Sequence, residues 1–73
     1  MNITEKIYLA RSEYYHDHSV MPNLLYIGVD IYIELIKESA PLTMGHMAGM
    51  ELVYDTNNPD RLEVGYVKKV SLN

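Results

Sequence analysis

The sequence predicts a small α+β domain in which two helices pack against a three-stranded, mainly antiparallel sheet. Three observations predict this class: an apolar repeat of helical spacing near the start, a short continuous apolar run, and two alternating segments in the second half. With 73 residues the chain has room for one domain, and we assign residues 1–73 to it. The predicted order of elements is helix, strand, helix, strand, strand.

The first helix is predicted from an N-terminal cap and an apolar stripe. Asn2 and Glu5 have the spacing of a capping box, in which two residues cap the helix reciprocally. Apolar side chains then recur every three or four residues: Ile3, Ile7, Ala10 and Tyr14. Residues 17–23 (DHSVMPN) are typical of a loop, so the helix is expected to end near His16.

A central strand and a second helix are predicted next. Residues 24–27 (LLYI) form a continuous apolar run before Gly28, which is typical of a buried central strand. Asp30 is a suitable N-cap for the following helix, which is expected to end at residues 37–39. Because residues 29–33 are rich in β-branched side chains, a strand there is the alternative.

The second half of the chain predicts two more strands. Residues 43–49 contain two glycines and indicate a turn or a bulged entrance to a strand. Residues 50–55 and 62–67 alternate between apolar and other side chains, so each is predicted to be a strand with one apolar face. The polar residues 56–60 between them are typical of a turn, and we expect the last two strands to form a hairpin.

Composition excludes several classes of protein. Without cysteine there is no disulfide scaffold, no Cys-ligated zinc or iron–sulfur site and no thiol catalysis. The apolar stretches are far shorter than the ~18 residues of a membrane helix, and charged residues near the start argue against a secretory signal, so a cytoplasmic location is expected. So small a core invites self-association, and the seven tyrosines suit either a homodimer interface or a core that lacks Phe and Trp.

Catalytic chemistry is not indicated. His16, Asp17 and His18, with the distant His46, are the metal-like residues, but their spacing is not that of a zinc site, and a solvated loop is the favoured interpretation. No phosphate-binding loop is present, and a histidine adjacent to Ser19 in sequence does not make a nucleophile–base pair. We therefore predict no enzyme, no metal and no cofactor.

Acidic residues are concentrated in the middle of the chain, where residues 30–60 carry six acids and one base. Asp30, Glu34 and Glu38 lie four residues apart, so a helix would place them in one row, although like charges at that spacing destabilise it. Their step of ~5–6 Å is near the spacing of phosphates along a nucleic-acid strand. The predicted partner-binding surface comprises Asp30, Glu34, Glu38, Glu51, Asp55 and Asp60. The alternative is that these acids only keep a small domain soluble and that Asp30 is only a cap.

Two segments resemble known proteins. Residues 22–30 (PNLLYIGVD) with Tyr32 and Glu34-Leu35, and residues 49–55 (GMELVYD) with 58–60 and 62–65, resemble small accessory proteins of large tailed phages of Gram-positive bacteria. The resemblance covers residues 22–65 and implies a host-takeover factor in the bacterial cytoplasm. One kind is an acidic DNA mimic that inhibits the histone-like nucleoid protein HU, which would make HU the partner. A phage structural or assembly protein that acts through an apolar interface is the alternative.

Overall fold

Two helices cover one face of a four-stranded mixed sheet in the computed structural model, which describes residues 1–68. The elements are α1 (Ile3–His18), β1 (Leu24–Gly28), α2 (Val29–Lys37), β2 (His46–Met47), β3 (Met50–Asp55) and β4 (Leu62–Gly65). The strand order is β2-β3-β1-β4. The α+β class, both helices and the central position of β1 are therefore confirmed.

Helix α1 begins with the predicted capping box. The Glu5 amide donates to the Asn2 side chain at 2.8 Å, and the Asn2 amide donates to the Glu5 carboxylate at 3.3 Å. The helix ends at His18 rather than near His16, since Ser19 adopts the left-handed conformation (φ 58°) and its amide closes the last turn on Tyr15. The helix is therefore two residues longer at its C-terminal end than the loop-forming composition of residues 17–23 predicted.

The prediction of a three-stranded, mainly antiparallel sheet with a hairpin is wrong in its pairing. Strand β1 pairs with β3 in parallel, from Leu24 opposite Glu51 to Gly28 opposite Asp55. Strand β4 pairs with the other side of β1 and runs antiparallel to it. Since β3 and β4 flank β1, the polar residues 56–61 do not close a hairpin but cross over the end of β1; we call them the crossing loop.

Gly28 is the point where the crossing loop passes β1. A Cβ atom at Gly28 would lie 2.0 Å from the Asn58 carbonyl oxygen and 2.3 Å from the Pro59 carbonyl oxygen. The loop is fastened there by two backbone hydrogen bonds, from the Gly28 amide to Arg61 at 3.0 Å and from the Asp30 amide to Pro59 at 2.9 Å. Only glycine leaves room for this approach.

Residues 29–37 form helix α2, so the alternative of a strand at residues 29–33 is wrong. Gly28 occupies the N-cap position, and Asp30 lies in the first turn instead of capping the helix. The physical reason is the crossing loop, because the Pro59 carbonyl accepts the hydrogen bond of the Asp30 amide that a capping side chain would otherwise take.

Residues 43–49, for which the sequence predicted a turn or a bulged entrance to a strand, form two tight turns on either side of the short strand β2. Thr43 bridges His46 around Met44-Gly45, and Met47 pairs with Met50 around Ala48-Gly49. All four central residues of these two turns have positive φ, between 49° and 79°, as tight hairpin turns require. The last strand is also shorter than predicted, since β4 ends at Gly65.

The core lies between the helices and the sheet. Its buried side chains come from every helix and strand except β4: Ile7, Leu25, Ile27, Ile31, Leu35, Met47, Met50 and Leu52. Because side chains alternate along a strand, Leu24, Tyr26 and Val53 lie on the opposite face of the sheet, which carries no helix within residues 1–68. There the Arg61 guanidinium stacks over the Tyr26 ring at 4.4 Å.

Candidate protein-binding surface

Helix α2 exposes three aliphatic side chains to solvent. Val29, Ile33 and Ile36 are 54%, 45% and 54% exposed, and their spacing of four and three residues places them on one face of the helix. We call these three residues the apolar stripe. Ile31 and Leu35 on the opposite face fill the core. Burial of the second face therefore requires something other than residues 1–68.

Two of the predicted acids lie beside the apolar stripe. Asp30 and Glu34 are exposed and four residues apart on the same helix, as the sequence predicted. The Lys37 ammonium approaches the Glu34 carboxylate at 3.5 Å, and both side chains are at least half exposed, so this ion pair is weak. The outer surface of α2 thus combines an apolar stripe with an acidic flank.

Glu38 does not continue this acidic row. It is the C-cap residue of α2, and its carboxylate accepts hydrogen bonds from the Thr4 hydroxyl at 2.6 Å, the Thr4 amide at 2.8 Å and the Ile3 amide at 2.9 Å. The hydrogen bond from the Thr4 hydroxyl, followed by those from the two amides, lowers the pKa of Glu38. Glu38 therefore joins the end of α2 to the N-terminus of α1, where a carboxylate is favoured by the helix dipole.

Asp55 organises the crossing loop. Its carboxylate accepts hydrogen bonds from the Asn58 side chain at 2.9 Å, the Asn57 and Asn58 amides at 2.8 and 3.2 Å, and Arg61 at 3.0 Å. The Asn58 side chain and the Asn57 amide, followed by Arg61, lower the pKa of Asp55 to about 2. With four donors around its two oxygens, this carboxylate holds a fixed negative charge and the shape of the loop.

The two remaining acids lie apart from each other. Glu51 is exposed at the start of β3, opposite His46 on the edge strand. Asp60 is exposed in the crossing loop, next to the Pro59 carbonyl that caps α2. The six predicted acids therefore do not form a single row: Asp30, Glu34 and Asp60 border α2, Glu51 lies at the other end of β3, and Glu38 and Asp55 serve contacts within the chain.

A cleft of about 350 Å³ opens between the start of α2 and the end of β3. We call it the tyrosine cleft; its lining residues are Val29, Tyr32, Tyr54, Asp55 and Thr56. The two tyrosine rings stand nearly perpendicular, at 82°, with centroids 5.5 Å apart. Since Val29 also belongs to the apolar stripe, the cleft and the stripe form one continuous surface.

Two of the three histidines, His18 and His46, contact groups in their own segments of the chain. His18 stacks on Tyr14 with ring centroids 4.0 Å apart, and its Nδ1 donates to the Tyr14 carbonyl oxygen. His46 Nδ1 donates to the Met44 carbonyl oxygen at 3.0 Å in the turn before β2. Across residues 1–68, no three His, Cys, Asp or Glu side chains meet in a group that could hold a metal ion.

Acidification is expected to destabilise the fold through Asp55 and Glu38. Because their pKa values are lowered on folding, both carboxylates stabilise the protein fully above their ordinary pKa values near 4. For Asp55 this contribution is lost as the pH falls from about 4 to about 2. Thermal melts followed by circular dichroism between about pH 6 and pH 2 should show the melting temperature falling over this range.

The variant Asp55→Asn tests the cause of that fall. It should melt lower than the unaltered chain at neutral pH and should lose less stability between about pH 4 and pH 2, since one of the responsible groups is gone. Asp60→Asn is the matched control, because the Asp60 side chain accepts no hydrogen bond from residues 1–68. An acid profile that is the same in Asp55→Asn as in the unaltered chain would contradict the assignment.

The apolar stripe and the tyrosine cleft were missed by the sequence reasoning. A signal was present, because six of the nine residues of α2 are apolar, more than one buried face of so short a helix can accommodate. From the sequence, a binding role was predicted only for the acidic residues of this helix. The three residues of the apolar stripe can be identified only when it is known which face of α2 packs on the sheet.

No helix within residues 1–68 combines the length and the apolar character needed to cross a lipid bilayer. Comparisons of this chain with protein-family models, with curated proteins and with solved structures found no match.

Proposed function

We propose that this chain acts by protein–protein contact and binds a basic DNA-binding protein of a bacterial host, with HU as the first partner to test. The observation that carries the proposal is the surface of α2, where the apolar stripe is flanked by Asp30 and Glu34. An interface with an apolar centre and a charged rim is typical of specific protein contacts. A partner complementary to this rim carries Lys and Arg side chains around an apolar patch.

Competition with DNA follows if the partner uses the same basic side chains to hold phosphates. The proposed mechanism is occlusion, without a catalytic step. The acids that remain for it are Asp30, Glu34, Asp60 and Glu51, because Glu38 and Asp55 are engaged within the chain. The proposed imitation of DNA phosphates thus uses four carboxylates instead of six. The apolar stripe supplies apolar contact area that phosphates lack.

The direct test is binding of the purified chain to purified HU, followed by competition with a labelled DNA duplex. We expect binding in low salt that weakens at least tenfold between about 50 and 300 mM NaCl, because exposed charges are screened over that range. The double variant Asp30→Asn/Glu34→Gln should weaken binding at least tenfold, and the unaltered chain should displace the DNA.

A matched control is available on α1. Glu13 and Asp17 are also exposed acids four residues apart on a helix, so Glu13→Gln/Asp17→Asn changes the net charge equally at another place. This control should bind HU within about twofold of the unaltered chain. Equal losses in both double variants would reduce the effect to net charge, and an absence of HU binding at micromolar concentrations would refute HU as the partner.

A structural or assembly role is the second candidate, and the exposed apolar stripe is the observation that favours it. Such a contact is mostly apolar and is insensitive to salt. Sedimentation equilibrium in about 50 and 500 mM NaCl separates the two. Self-association that persists at high salt and is lost in Ile33→Ser would favour the structural role.

A further inference from the structure

The two edges of the sheet differ in how much backbone they leave unpaired. Strand β2, at one edge, has two residues and lies between two tight turns. Strand β4, at the other edge, pairs with β1 on one side only, and its register runs from residue 62 to residue 65 without a bulge. Residues 61–68 (RLEVGYVK) contain no proline. Edge strands that avoid further pairing are commonly very short, bulged or interrupted by proline, and β4 lacks the last two of these features.

The unpaired edge extends beyond β4 as far as Val67. The Asn23 side chain donates to the Val67 carbonyl oxygen at 2.8 Å and accepts from the Val67 amide at 3.0 Å. The carbonyl oxygens of Gly65 and Arg61 accept hydrogen bonds from the Asn23 and Gly28 amides, each at 3.0 Å. Odd-numbered residues from 61 to 67 therefore direct their backbone groups towards β1, and even-numbered ones direct theirs away from the sheet. We call this second set the open edge; it comprises Leu62, Val64 and Tyr66.

We infer that the open edge pairs with the open edge of a second copy of this chain, antiparallel about a two-fold axis at Val64. The two sheets then join into one continuous sheet. In this register Val64 faces Val64 of the second copy and Leu62 faces Tyr66, which gives about six new backbone hydrogen bonds. The inference is independent of the proposed function, because the apolar stripe lies on α2 and the open edge follows β4.

The charges along the open edge favour this register. It brings Lys68 of one copy opposite Asp60 of the other, and the two-fold axis repeats this pair at both ends of the joined strands. Both residues are exposed, and neither makes a salt bridge within residues 1–68. Sliding one strand by two residues would place Glu63 opposite Glu63 of the second copy, which is unfavourable. Sliding it the other way would replace the Asp60–Lys68 pair by Leu62 opposite Lys68.

Tyr66 adds a side-chain contact to the pairing. It is 42% exposed, and by alternation its ring lies on the same face of the sheet as Leu62 and Val64, which pack against the core. In the dimer each Tyr66 ring lies opposite Leu62 of the other copy. An aromatic and an aliphatic side chain opposite each other on neighbouring strands stabilise a sheet, so the dimer covers a ring that the single chain leaves exposed.

Sedimentation equilibrium tests the inference on the purified chain. Between about 20 µM and about 1 mM the unaltered chain should show a monomer–dimer equilibrium. Val64→Pro removes an outward-facing amide but leaves the bonds between β4 and β1, which use the odd-numbered residues, and it should weaken dimerisation at least tenfold. Val64→Ala is the matched control, because it shortens the same side chain and keeps the amide. It should dimerise within about threefold of the unaltered chain.

Nuclear magnetic resonance of the unaltered chain locates the contact even if Val64→Pro folds poorly. In an equal mixture of isotope-labelled and unlabelled chain, we expect a nuclear Overhauser effect between the Hα atoms of Glu63 and of Gly65 in the other copy. In the proposed register these two residues form a pair without hydrogen bonds, with Cα atoms about 4.5 Å apart. Lys68→Glu should weaken dimerisation at least threefold in low salt, and Asp60→Lys/Lys68→Glu should restore it.

Three results would overturn the inference: the mass of a single chain at about 1 mM, equal dimerisation of Val64→Pro and Val64→Ala, or intermolecular Overhauser effects confined to α2. The last result, with loss of association in Ile33→Ser, would place self-association on the apolar stripe instead. Dimerisation that is unchanged in Ile33→Ser is the expected outcome. None of these measurements uses HU, so the absence of HU binding would refute that partner and leave the dimer in place.

Discussion

Replacing Gly28 by alanine is expected to lower the free energy of unfolding by about 3 kcal/mol, at the upper end of the cost of overpacking. The added methyl group would lie 2.0–2.3 Å from backbone atoms of Asn58 and Pro59, and a backbone cannot swing aside as a side chain can. Moving the crossing loop away would also break the hydrogen bonds from the Gly28 and Asp30 amides. Urea denaturation followed by circular dichroism measures the loss.

Gly65→Ala is the control for this experiment. The two glycines lie in β1 and β4, which pair with each other. A methyl group on Gly65 would meet the edge of the Tyr26 ring at 3.2 Å, and that ring belongs to a side chain that can move. We expect it to cost less than about 1 kcal/mol. If Gly28→Ala proved as stable as Gly65→Ala, the close passage of the crossing loop over β1 would be wrong.

Truncating Leu35 to alanine is expected to leave most molecules unfolded at equilibrium. Leu35 is fully buried in the core, and deletion of such a side chain costs about 2–5 kcal/mol. A domain of this size has a net stability of roughly 3–5 kcal/mol, so the loss is comparable to the total. The spectrum of the variant at 25 °C, compared with that of the unaltered chain, should show the loss of helix and of tertiary structure.

Ile36→Ala, one residue further along α2, is the matched control. Ile36 is 54% exposed and belongs to the apolar stripe, so the truncation should cost less than about 1 kcal/mol. The same variant should weaken binding to the proposed partner, because it removes part of the apolar stripe. Since the fold stays intact, such a loss of binding could not be attributed to unfolding. A large loss of stability in Ile36→Ala would mean that the stripe is already covered in solution and is not a free surface.

Local features of this fold could be predicted from the sequence because their causes are local. The capping box of α1 needs only Asn2 and Glu5, and the buried strand β1 is marked by its own apolar run. The alternation of residues 50–55 likewise identified β3 with its bounds. In each case the residues that determine the conformation lie within a few positions of each other in the sequence.

Pairing between strands could not be predicted because its cause lies far along the chain. Residues 56–60 have the composition of a hairpin turn, and nothing within them shows that they cross over another strand. The one indication was Gly28, which marks the end of the predicted strand and is also the residue that the crossing loop approaches too closely for any other side chain. Strands β1 and β3 can pair in parallel because α2 connects them as a crossover. The similar alternation in residues 50–55 and 62–67 instead suggested that these two strands pair with each other.

The candidate site was predicted in part for the same reason. Spacing on a helix placed Asp30 and Glu34 together, and the structure places them so. Spacing also assigned Glu38 to that row, but the start of α1, more than thirty residues earlier in sequence, turns its carboxylate inward. The role of Asp55 depends on the crossing loop and was not visible from a polar turn. The apolar stripe needed knowledge of which face of α2 meets the sheet.

The central position of β1 has a consequence for how the protein is made. Leu24 finds its parallel neighbour at Glu51 and its antiparallel neighbour at Gly65, so most of the sheet's pairing joins residues that are far apart in sequence. Such contacts slow folding, because loops must close before any pairing compensates for the lost entropy. While the chain leaves the ribosome, its middle strand has an open edge until residues 62–65 emerge. The nascent protein therefore completes its sheet only in a late step, and until then one edge of its most apolar strand is exposed to chaperones and to neighbouring chains.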